Sequence, residues 1–178
     1  MVESVSFIQD KEIQVEFFLK KRNVVIDNLK DISKNWQFYF LRFNELNESQ
    51  LSEYLEEDNF YIEGAIYISY YGTELIGFKY WDLIDQLCSY FINSIYSLII
   101  DNEECNKFYF PDQPIEVNLK KEKEHIWIKI GNEKPLYLNK DVFIKEFLKA
   151  SKDLYERINV NSYTLEIEKI EETLKYLK

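Results

Sequence analysis

Two alternating apolar runs, Ile115-Val117-Leu119 and Ile126-Ile128-Ile130, flank the short charged stretch Lys120-Lys121-Glu122-Lys123-Glu124, and this constrains the fold more than any other feature. Alternation at period two marks strands with one buried face. A five-residue connection is too short for the crossover that parallel strands need, so the two runs must pair antiparallel. Gly131-Asn132 supplies the next turn, and Leu136 to Leu138 reads as a third strand. The period then changes. Phe143, Phe147, Ala150, Leu154 and Ile158 share one face of a helix capped by Asn139 or Asp141, and Tyr163, Ile167, Ile170, Leu174 and Leu177 mark a last helix. Tyr163, Leu165 and Ile167 also alternate, which leaves a strand open there. Hairpins followed by grouped helices indicate an α+β fold and not a parallel βαβ one.

The first half of the chain fits that class. Ile13, Val15 and Phe17 alternate with Gln14 and Glu16, and Val2 to Ile8 is placed to pair with them across Asp10-Lys11 as a hairpin. Val25, Leu29, Ile32 and Trp36 have helical spacing, and Trp36 to Phe43 is strand-like. Asn47 and Gln50 form a capping-box pattern that opens a short helix through Glu57. From Phe60 to Tyr71 both faces are apolar or aromatic, as in a doubly buried strand, and Gly72-Thr73 ends it. Tyr80 to Ile100 reads as the longest helix, with Ile84, Leu87, Cys88, Phe91, Ile95 and Leu98 inward and Asp82, Gln86, Ser89, Asn93 and Ser97 as a polar stripe. No repeat or Pro/Gly/Ser-rich linker interrupts the sequence. The expectation is one α+β domain over residues 1–178, with an antiparallel sheet of hairpins packed against a long central helix and the C-terminal helices. Its core should hold Trp36, Ile84, Phe91, Ile128, Phe147 and Leu154. A chain of 178 residues with 46% apolar and 17% aromatic residues builds such a core without disulfides or a structural metal.

Signatures of catalysis are missing. The chain has no P-loop, dinucleotide fingerprint, nucleophile elbow, HExxH or EF-hand pattern, and four glycines leave no phosphate cradle. Two cysteines, Cys88 and Cys105, suit reduced thiols in a cytoplasmic protein. The N-terminus lacks a signal-like pattern, and the polar residues within Tyr80 to Ile100 exclude a membrane span there. The single His125 alternates with Ile126 and belongs on the outer face of its hairpin. Neither cysteine has a spacing that makes a nucleophilic pair or metal set with it. Asp82 and Asp85 are the carboxylates best placed to share a site, yet acidic residues near a helix start are also expected from the macrodipole. Lys120, Lys121 and Lys123 read as a solvated hairpin tip. The expected protein has no enzymatic activity, no cofactor and no metal.

Charge is distributed unevenly. Residues 43–106 hold thirteen acidic groups against the single base Lys79, whereas the segments on either side each carry a net +1, within a total of −10. Such a field repels nucleic acid, whose binding rests on Lys and Arg, and attracts cationic partners. A charge run is ordinarily just a solvated face. The length of this one, and the aromatic Tyr54 and Tyr61 within it, give the other reading: a partner-binding surface formed by Glu53, Tyr54, Glu56, Glu57, Asp58, Tyr61 and Glu63.

The stretches Tyr80-Trp81-Asp82-Leu83-Ile84-Asp85 and Tyr109-Phe110-Pro111-Asp112-Gln113-Pro114, the hairpin and the helix from Asp141 to Ile158 together resemble small acidic bacterial immunity proteins of polymorphic toxin systems, over roughly residues 80–158. The resemblance implies a non-catalytic antidote that binds and blocks one toxin protein, expected to be cationic. A general interaction or structural module is the alternative, and a small carboxylate enzyme stands behind both. The oligomeric state is left open by the sequence.

Overall fold

The computed structural model describes residues 11–55, 61–159 and 161–177. Strand β1 (Ile13–Lys20) is followed by the single turn α1 (Trp36–Tyr39), β2 (Phe40–Arg42), α2 (Glu48–Tyr54), β3 (Glu63–Tyr70), β4 (Thr73–Ile76), β5 (Asp82–Leu83) and α3 (Ile84–Ile99). Then come β6 (Cys105–Tyr109), β7 (Glu116–Glu122), β8 (His125–Ile130), β9 (Leu136–Asn139), α4 (Lys140–Asn159) and α5 (Thr164–Tyr176). The α+β class expected from the sequence is the one observed.

The strands form two antiparallel sheets. The first has the order β2-β1-β3-β4 with β5 also on β3, and the second is the meander β6-β7-β8-β9. The hairpin read from alternation is β7–β8, in which Val117 faces Ile130 and Leu119 faces Ile128. Its strands run on to Glu122, so the charged tip shortens to Lys123-Glu124, and Lys123 takes the left-handed φ of +50°. Tyr71 and Gly72 make the equivalent two-residue turn between β3 and β4, both with positive φ.

One hydrophobic cluster joins β1, β3, both long helices and the inner face of the meander, through Phe17, Ile66, Phe91, Ile128, Phe147 and Leu154 among others. A second, largely aromatic cluster covers the other face of the first sheet: Phe18, Ile32, Trp36, Phe40, Ala65, Tyr67 and Phe78. Phe78 stacks on Trp36 with centroids 5.4 Å apart, and Phe18 meets both rings edge-on. All six residues expected in the core are buried.

Several sequence expectations change. No helix forms over Val25 to Trp36: Val25 and Leu29 are 79% and 51% exposed while Ile32 and Trp36 are buried. The β-branched run Val24-Val25-Ile26 disfavours helix, and the Asn28 side chain accepts from the Lys30 N–H, drawing the backbone into a turn. Trp36 to Phe43 is one helical turn and a three-residue strand. The Tyr80 to Ile100 helix begins only at Ile84, because Asp82 and Leu83 pair with Gly64 and Glu63, and α4, at 20 residues, is longer than α3, at 16. The hairpin across Asp10-Lys11 lies partly outside the described residues, as do Val2 to Ile8, Glu56 to Phe60 and the proposed end of α2 at Glu57. The capping box is present: Gln50 N–H donates to Asn47 Oδ1 at 2.9 Å, and Asn47 N–H donates to Gln50 Oε1 at 3.0 Å.

Candidate functional site

The antiparallel register of β1 on β3 brings Leu19 opposite Gly64, so the end of the first strand lies beside the start of the second. A Cβ on Gly64 would fall 2.1 Å from the Phe18 carbonyl oxygen, so this close approach requires glycine. The C-terminal end of α2 abuts the same place. Together they bound a cleft of about 450 Å³ lined by Leu19, Lys20, Lys21, Arg22, Asn23, Tyr54, Leu55, Tyr61, Ile62 and Glu63.

The sequence-predicted residues divide into three groups here. Tyr54, Tyr61 and Glu63 do come together, with Tyr61 at 64% exposure and Tyr54 half-buried. Glu53 is exposed on α2 but does not line the cleft. Glu56, Glu57 and Asp58 lie outside the described residues.

Sequence reasoning missed the basic residues of the cleft, Lys20, Lys21 and Arg22. Lys20 Nζ lies 2.7 Å from Glu63 Oε2 and 5.4 Å from the Trp81 ring centroid. Arg22 stands over the Tyr54 ring at 5.6 Å, a cation–π distance. Lys21 donates from its side chain to the Gln37 carbonyl and from its backbone to that of Tyr39. This last tie holds α1 against the end of β1 and leaves Phe38, in that turn, 72% exposed. The site is thus an aromatic and charged cleft in which acid and base lie side by side on adjacent strands. The available signal was the triplet Lys20-Lys21-Arg22, which averaging charge over 1–42 concealed.

The thirteen acidic groups of residues 43–106 are not all at the surface. Asp82 and Asp85 are buried, while Glu45 and Glu63 are exposed but ion-paired, Glu45 with Arg42 at 3.0 Å and Glu63 with Lys20 at 2.7 Å. Asp82 Oδ1 accepts from the N–H groups of Leu83 at 2.7 Å and Asp112 at 3.1 Å, pinning the Pro111 loop to β5. Asp85, in the first turn of α3, accepts from Ile62 N–H at 3.1 Å and from the Tyr163 hydroxyl at 3.0 Å. Burial pushes both carboxyls up from the ordinary aspartate range, opposed by these hydrogen bonds. Their partners are backbone groups and one tyrosine, an arrangement that supports structure.

His125 is exposed at the start of β8 and paired in register with Glu122 and Asn139. Cys105 is exposed on β6, opposite Lys120, while Cys88 is buried in α3 with its thiol pushed up to about 12 by burial. Cys88 and Cys105 therefore lie on different elements, one in the core and one at the surface. Among the described residues no group of three or more His, Cys, Asp or Glu is placed to hold a metal ion, and no helix is long and apolar enough to cross a membrane. Lys121 is not simply a solvated tip residue, because its ammonium donates to the Leu98 carbonyl at 2.6 Å and to Asn102 Oδ1 at 2.7 Å, closing the C-terminal end of α3. No family model, no curated protein and no solved structure matches the chain.

Proposed function

We propose that the protein is a non-catalytic binding protein, an immunity protein that neutralises a cognate, cationic bacterial toxin in the cytoplasm. The observation that carries this reading is the clustering of Tyr54, Tyr61 and Glu63 around one cleft, within a segment that holds thirteen acidic groups and one base. Aromatic side chains beside a cleft are the usual anchors of a protein interface, and surrounding charge raises the encounter rate. Catalysis through Asp82 and Asp85 is not part of the proposal, since both carboxylates are buried and hydrogen-bonded, Asp82 by backbone N–H groups and Asp85 by the Ile62 N–H and the Tyr163 hydroxyl.

The test is a pull-down with the tagged protein from its source cells, followed by co-expression of the captured partner. A cationic partner whose toxicity is abolished by this chain supports the proposal. A partner with no toxicity would make the chain a general interaction module.

A further inference from the structure

The β6–β9 sheet has one covered face and one open face. The covered face carries Val117, Leu119, Ile126, Ile128, Ile130 and Leu138, all buried in the main cluster. The alternate residues point the other way, where cross-strand register assembles the row Cys105-Lys120-Trp127-Tyr137 beside the row Lys107-Asn118-Lys129. Tyr137 is 56% exposed and Trp127 half-buried, and neither ring belongs to either hydrophobic cluster. The Lys140 N–H donates to the Glu124 carbonyl, which sets the phase of the β8–β9 ladder and makes Trp127 and Tyr137 a non-hydrogen-bonded pair, the kind whose side chains stand closest. Neither the Trp127 indole N–H nor the Tyr137 hydroxyl has a hydrogen-bond partner among the described residues. The lysines of this face are answered by acids except at one point. Glu116 pairs with Lys107 at 3.6 Å and accepts from the Tyr109 hydroxyl at 2.7 Å, and Glu122 pairs with Lys120 at 2.8 Å. Lys129, two residues from Trp127 on the same strand and face, has no acidic partner among the described residues.

Two neighbouring rings with free polar tips and one uncompensated cation define the ligand by its chemistry: flat and apolar on one side, rich in acceptors, and carrying an isolated negative charge. A polynucleotide brings a phosphate with every base and needs a track of cations, which one free lysine in a chain of net charge −10 does not supply. A second copy would bring the same lone cation and no free anion on this face. A sugar ring has an apolar C–H face that stacks on aromatic rings and hydroxyls that accept from an indole N–H or a phenol, and a uronate adds a carboxylate. We propose that the outer face of the β6–β9 sheet binds an acidic oligosaccharide, with Trp127 and Tyr137 as the stacking platform and Lys129 pairing with the carboxylate of one sugar. None of these three residues lines the cleft of Tyr54 and Tyr61, so the site stands whether or not the chain neutralises a toxin.

The test is calorimetric titration of the full chain with a hexasaccharide of alternating glucuronate and N-acetylglucosamine, with its carboxyl-reduced form, and with an oligothymidylate of the same length. The acidic hexasaccharide should bind, and Trp127→Ala or Tyr137→Ala should each weaken it roughly ten-fold, the scale of one aromatic stacking contact. Because both rings lie outside the two clusters, these variants should keep the parent's urea midpoint within a few tenths of a molar unit, which separates loss of the platform from loss of the fold. Lys129→Gln should weaken the acidic ligand about three-fold, as for an exposed ion pair, and remove its advantage over the carboxyl-reduced form. Absence of binding at millimolar saccharide would overturn the proposal. So would equal affinity of the parent for the two saccharides, binding indifferent to both ring truncations, or tighter binding of the oligothymidylate.

Discussion

Asp85 shows how a single buried side chain ties distant parts of the chain. It accepts from Ile62 ahead of β3 and from Tyr163 ahead of α5, while sitting in the first turn of α3, where the helix macrodipole favours its negative charge. Burial raises its pKa, against the opposing hydrogen bonds from Ile62 and Tyr163. Because the folded protein holds the Asp85 proton more tightly than the unfolded chain, the stability contributed is complete below the ordinary aspartate value of about 4 and is lost as pH rises through the raised folded value. Asp85→Asn keeps an acceptor for Ile62 and offers an amide to Tyr163. Its urea midpoint should therefore exceed that of the parent above this window, with the difference shrinking toward pH 4. A loss of stability in the variant that grows as pH rises above about 4 would show instead that the ionised carboxylate is favoured. At the surface, His125→Ala and Cys105→Ser should leave partner affinity within a few-fold, since both side chains are exposed and remote in sequence from the cleft residues; a larger loss with folding intact would point to a site on the β6–β9 sheet.

At the scale of elements, what could be read in the sequence was what local periodicity controls. The β7–β8 hairpin, α4 and the Asn47–Gln50 box each rest on contacts within a few residues, and each forms where its pattern lies. Substituting Asn47→Ala should cost about 1 kcal/mol, measured by urea denaturation, because the Gln50 N–H at the start of α2 loses its side-chain acceptor. Phe91 and Phe147, in contact at 5.1 Å between ring centroids, join α3 to α4, and either truncated to Ala should cost about 3 to 5 kcal/mol. The spacing of Val25, Leu29, Ile32 and Trp36 misled because it copies a helix without helix-forming neighbours. Strand β6 was hidden for the opposite reason. Only Phe108 in Cys105-Asn106-Lys107-Phe108-Tyr109 is an apolar residue turned inward, and Asn106 occupies another inward position by accepting from the Ser94 hydroxyl at 2.8 Å. Half of the cleft was equally hidden, since the meeting of Lys20 with Glu63 depends on pairing across 43 residues that no local pattern encodes.

For the whole molecule, the main cluster runs from Ile13 to Ile170 through both sheets, so the chain should unfold as one cooperative unit; limited proteolysis that yields two separately stable halves would contradict this. The same organisation places the two structural aspartates inside, while Glu53 on α2 and Glu63 on β3 are exposed near a cleft with its own bases. If that surface recognises a cationic partner, charge governs encounter and the aromatic side chains Tyr54 and Tyr61 govern the lifetime of the complex. The most direct measurement is the association rate of the captured partner with the parent chain and with a Glu53→Lys, Glu56→Lys, Glu57→Lys variant, followed across a salt series. The proposed function predicts association slowed about ten-fold or more in the variant at low salt, with the two rates converging as salt approaches 1 M and the screening length falls to about 3 Å. Association that is independent of salt and equal for the two proteins would contradict it.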